Sequence, residues 1–68
     1  MEINWHDGFN IKVKAENGEV LISANKEGLL SLADHLTALS KEVAGNHIHY
    51  GDYNSLEDGS DELIIELK

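Results

Sequence analysis

Apolar and polar residues alternate through the first quarter of the chain, and two strands are expected there. Ile3 and Trp5 share a face with Phe9, Ile11, Val13 and Ala15 when His6, Asp7 and Gly8 form a three-residue loop. A two-residue Asp7-Gly8 turn would instead put Trp5 on the face opposite Ile11. The next reversal is Asn17-Gly18, the strongest short hairpin signal because both positions need positive φ. It pairs Ala15 with Val20 and Val13 with Ile22, so Val20, Ile22 and Ala24 join the apolar face and Leu21 lies on the other.

The period then changes. Leu29, Leu32, Ala33, Leu36, Leu39 and Val43 recur at helical spacing. Asn25 is placed to cap the helix N-terminus, Glu27 falls in the first turn, Lys41 near the last, and Gly45 follows as a stop. The pattern predicts a helix over 26–44 with Leu30 on its flank. A strand is expected over 46–50, with Ile48 and Tyr50 on one face and His47 and His49 on the other. A polar loop follows over 51–60. A last strand, 61–67, turns Leu63, Ile65 and Leu67 inward.

The expected order is therefore βββαββ. This is an α+β fold in which one amphipathic helix packs on one face of a mainly antiparallel sheet, forming two layers. Trp5, Ile11, Val13, Ile22, Leu32, Leu36, Leu39, Ile48 and Ile65 are the expected core. A chain of 68 residues suits a single domain over 1–68.

Charge narrows the range of partners. Thirteen acids face five lysines, and the net charge is −8. Nucleic acid and anionic membranes are held by cationic groups, so neither is an expected partner. A basic protein is, because complementary charge steers and holds it. The chain has no cysteine, which leaves no disulfide or thiolate metal site and fits a reducing, cytoplasmic setting. No secretory leader and no long apolar run is apparent.

Candidate chemistry gathers in the last third of the chain. His47 and His49 project from one strand face, and with Asp52 they compose a three-ligand set suited to zinc. The alternative is a pair of solvated surface histidines. The acid-rich loop lacks the order of an EF-hand, since Leu56 and Glu57 fall where that pattern needs an acid and a glycine. Ser55 and Ser60 lack the strand-to-helix elbow of a nucleophile, and no enzyme is expected. Asp52, Tyr53, Glu57, Asp58 and Asp61 instead read as a protein-binding loop, with Tyr50 or Tyr53 as its aromatic anchor.

Three stretches carry a resemblance. They are Asn25-Lys26-Glu27-Gly28-Leu29-Leu30-Ser31-Leu32-Ala33-Asp34-His35-Leu36, His47-Ile48-His49, and Ser55-Leu56-Glu57-Asp58-Gly59-Ser60-Asp61-Glu62-Leu63-Ile64-Ile65. Together they resemble the bacterial immunity protein 32 family, small proteins found beside polymorphic-toxin genes. The similarity runs from about Val20 to Glu66. It implies a non-enzymatic protein that binds and neutralises a cognate toxin domain, and a basic toxin such as a nuclease would suit the charge. Two other readings stay open: a small metal-binding domain using His47, His49 and Asp52, and a homo-oligomeric accessory domain pairing through a sheet edge or through Leu21 and Ile64.

Overall fold

A computed structural model describes all 68 residues. The elements are β1 (Ile11–Glu16), β2 (Glu19–Ala24), α1 (Lys26–Leu39), β3 (His47–Tyr50) and β4 (Leu63–Glu66). The α+β class holds, but the order is ββαββ, and the strands form two antiparallel two-stranded sheets, β1-β2 and β3-β4. The Asn17-Gly18 hairpin has the expected register, with Val13 opposite Ile22 and Ala15 opposite Val20. Both turn residues have positive φ, 52° and 78°.

The missing strand is the N-terminal one. β1 has two edges, and both are taken. β2 occupies one. On the other, Glu57 N–H donates to the Ile11 carbonyl at 2.9 Å and Asp61 N–H to the Val13 carbonyl at 2.8 Å. Residues before Ile11 therefore have no strand to pair with, and they satisfy their polar groups on the helix. His6 N–H donates to Ser31 Oγ at 2.8 Å, and the His6 ring lies 2.9 Å from the Asp34 carboxylate. The reversal before Phe9 is a tight turn centred on Asp7-Gly8, closed by Phe9 N–H donating to the His6 carbonyl at 3.2 Å with Gly8 at φ 83°, and not the three-residue loop expected. It stacks the Trp5 and Phe9 rings at 4.3 Å.

Asn25 caps α1 as its side chain predicts, and it does more. Its Oδ1 accepts from Gly28 N–H at 2.8 Å and from Asn10 N–H at 3.0 Å, and its Nδ2 donates to the Gly8 carbonyl. One side chain thus fixes both the helix start and the path of the N-terminal segment. The helix stops at Leu39, short of the expected Ala44. Ser40 Oγ donates to the Thr37 carbonyl at 2.6 Å, and the next amides form tight turns to Ala38 and Leu39. Hydroxyl side chains compete in this way with the helical ladder. Gly45 N–H then donates to the Leu67 carbonyl, so the chain has already joined β4 where the helix was expected to end.

The helix also presents a different face. Gly28, Ser31, Leu32, His35 and Leu39 are buried, whereas Leu36 is 47% exposed and Leu29 and Val43 are also exposed. The buried face lies about a quarter-turn from the leucine stripe at 100° per residue. Gly28 explains part of this shift. A β-carbon there would come within 2.8 Å of the Asn10 carbonyl and 2.9 Å of Ile11, so the missing side chain lets the helix approach β1. Ile22 is likewise too exposed, at 39%, to count as core. The core proper is Ile11, Val13, Leu32, Leu39, Ile48, Tyr50 and Leu56, with Trp5, Leu63 and Ile65 packed against it half-buried.

At its centre sits a polar pair. His35 is fully buried; its Nε2–H donates to the Asn4 carbonyl at 2.6 Å, and its Nδ1 accepts from the Tyr50 hydroxyl at 2.8 Å. A carbonyl only accepts, so this geometry fixes the tautomer. The Trp5 ring meets His35 edge-on at 4.5 Å. Burial pushes the Tyr50 phenol from 10.0 up to about 12. Below pH 10.0 the phenol is protonated in both folded and unfolded chains. Between there and about 12 only the unfolded chain gives up its proton, so stability falls as pH rises through that window. A loss of about 2–3 kcal/mol is expected across it. Urea unfolding at stepped pH should show that loss in the wild type and not in Tyr50→Phe; parallel profiles would contradict it. No helix is long and apolar enough to cross a membrane.

Candidate functional site

The acidic loop begins where β3 ends. The Gly51 carbonyl accepts N–H groups from Asn54, Ser55 and Leu56, at 3.2, 3.0 and 2.9 Å. Asn54 Oδ1 in turn accepts from Gly51 N–H and from Ser55 Oγ. This knot throws Asp52 and Tyr53 outward; Tyr53 is 71% exposed. Its ring occupies the space a β-carbon on Gly51 would need. Leu56 then drops into the core and anchors the middle of the loop.

The second half of the loop is bonded to β1. Besides the two backbone bonds already described, Val13 N–H donates to Ser60 Oγ at 3.2 Å and Ala15 N–H to Asp61 Oδ2 at 2.7 Å. Lys12 Nζ reaches the Asp58 carbonyl at 3.4 Å. Ile11 to Val13 and Glu57 to Asp61 run in the same direction, so the loop follows β1 as an irregular parallel strand. It links the two sheets, because it leads directly into β4.

Asp52, Tyr53, Glu57, Asp58 and Asp61 are all exposed. Four of these five are free to meet a partner with their whole side chain, while Asp61 also accepts an internal hydrogen bond. The sequence did not show Lys12 and Ser60 as the residues that hold the loop to β1; Ser60 was weighed there only as a nucleophile. The bonds of Lys12 and Ser60 depend on β1 lying alongside, a contact between residues more than forty positions apart that no local pattern signals, whereas Gly51 and Asn54 act within the turn itself.

His47 and His49 point to solvent from β3, as alternation requires, with ring centroids 4.8 Å apart. They stand opposite Glu66 and Ile64 of β4. Asp52 does not join them, and no group of three histidine or acidic side chains comes together with metal-binding geometry. The strand ends at Tyr50, and Asp52 lies beyond it in the turn closed on the Gly51 carbonyl. The surface has no pocket.

The fold and site define a small α+β domain that presents a fixed acidic loop on a flat surface. A family model described as immunity protein 32 matches residues 19–68, and the chain belongs to that family. No curated protein and no solved structure gives a significant match.

Proposed function

We propose that the chain is a cytoplasmic immunity protein that binds a cognate toxin domain with a basic surface and blocks it, acting by occlusion and not by catalysis. The family membership supports the role. The observation that carries the choice of surface is the acidic loop, held by β1 and open to solvent. Asp52, Glu57, Asp58, Asp61, Glu62 and Glu66 place six negative charges in a stretch that contains no lysine or arginine. A nuclease is the toxin class that fits best, because a cleft that binds phosphates is lined with cations. An acidic surface competes for that cleft directly. A loop already fixed by hydrogen bonds also loses little conformational freedom on binding.

The test is binding to the product of the neighbouring reading frame, by the wild type and by a variant carrying Asp52→Asn, Glu57→Gln, Asp58→Asn and Asp61→Asn. The amide at 61 keeps an acceptor for the Ala15 N–H, so the fold is preserved. Association of the variant should slow by roughly tenfold to a thousandfold at low salt, with a flattened salt dependence. Tyr53→Ala should act on dissociation, as a buried aromatic anchor does. Unchanged rates in the fourfold variant would dismiss the acidic-loop surface. A wild type that neither binds nor protects would dismiss the immunity role.

A further inference from the structure

A second surface lies on the opposite side of β1. β2 ends its sheet, and nothing in the chain pairs with its outer edge. In a hairpin closed by a two-residue turn, Glu16 and Glu19 form the hydrogen-bonded closing pair. Leu21 and Ser23 then also bond to β1, and Val20 and Ile22 turn their N–H and C=O groups outward. The flanking side chains are apolar and bare: Val20 is 62% exposed, Leu21 63% and Ile22 39%, although Val13 beside Ile22 is 1% exposed. Open edges in monomeric proteins are guarded by proline, bulges or inward charges. β2 has none of these, and its one charged residue is Glu19, at the end.

We propose that this edge pairs antiparallel with β2 of a second copy of the chain, forming a two-fold dimer centred on Leu21. That register sets Val20 opposite Ile22 of the second copy on the helix side, Leu21 opposite its own equivalent on the other, and Glu19 opposite Ser23. Apolar residues meet apolar residues, no like charges face each other, and the outward backbone groups of Val20 and Ile22 are satisfied in pairs. Shifting the centre to Ile22 would set Leu21 against Ser23 and Val20 against Ala24, a poorer match.

Charge does not oppose a like partner at this edge, as it does at the acidic loop. Lys12, Lys14 and Lys26 balance Glu16, Glu19 and Glu27, so the hairpin and helix start are neutral, whereas the loop and β4 carry six acids and no lysine. In the dimer the two 57–61 segments lie at opposite ends, five strand spacings apart, or about 24 Å. That is about three Debye lengths at physiological salt, so their repulsion is screened. Both acidic loops stay free, and the proposal does not depend on what they bind.

Sedimentation equilibrium tests it. The wild type should show twice the 7.5 kDa chain mass, falling on dilution. Leu21→Lys and Leu21→Glu should each be monomeric, since like charges then face each other across the axis. An equimolar mixture of the two should recover the dimer, as opposite charges meet. Circular dichroism confirms that each variant is folded, and Val20→Lys gives a second disruption on the other face. A wild type that is monomeric throughout, a single variant that stays dimeric, or a mixture that stays monomeric would overturn the proposal. So would a monomeric wild type in which Leu21→Lys loses hold of the neighbouring gene product, because the edge would then belong to that protein.

Discussion

Replacing His35 with alanine is expected to remove a third or more of the chain's stability. The side chain is fully buried and serves two partners, the Tyr50 hydroxyl and the Asn4 carbonyl. Alanine leaves the buried Tyr50 hydroxyl without a bond, at about 1–3 kcal/mol, loses the part-buried bond to Asn4, and leaves a cavity beside Trp5. A total near 3–5 kcal/mol is within the largest class of single-residue effects. At about 0.05–0.15 kcal/mol per residue, a chain this short has about 3–10 kcal/mol of stability in all. Far-UV circular dichroism and urea titration would measure it, with Tyr50→Phe as a milder companion that orphans only Nδ1. A loss under about 1 kcal/mol would mean that the pair does not organise the core.

Leu39→Ala is the second large effect, and its contrast with Leu36→Ala makes it informative. Leu39 is buried in the main cluster and its truncation should cost about 2–5 kcal/mol. Leu36, one turn earlier and identical in chemistry, is 47% exposed. Its truncation should stay within about 1 kcal/mol. Matched urea titrations would settle which side of α1 faces the core. Equal losses at the two positions, or a larger loss at Leu36, would restore the leucine stripe as the buried face.

That contrast also shows where sequence pattern stops being informative. Hydrophobic periodicity located the helix start and the Asn17-Gly18 hairpin, because capping and turn chemistry are local. It misjudged the buried face because three of its members are Gly28, Ser31 and His35. A glycine that permits close approach, and polar groups whose partners are remote, carry no hydrophobic signal. The N-terminal segment failed for a related reason. Its alternation is strand-like, but the edge it would have paired with is taken by residues near the other end of the chain. The acidic loop was legible as an exposed, charged segment; its attachment through Ser60 and Asp61 to the β1 backbone was not. The outward direction of the two histidines followed from strand alternation, whereas whether a third ligand stands beside them depends on the path of the chain after Gly51, which local pattern does not carry.

The attachment of 57–61 to β1 has a consequence for the order in which this molecule comes into being. Val13 and Ser60 are separated by 47 positions, so the edge of β1 waits for almost the entire chain. During synthesis the β1-β2 hairpin and the helix can form early from neighbouring residues, but the acidic surface cannot be set in place until the last strand has been made. Closing so long a loop is slow relative to local structure. The presented loop is therefore a late product of folding, and a nascent or partly unfolded chain has its negative charges without the shape that directs them.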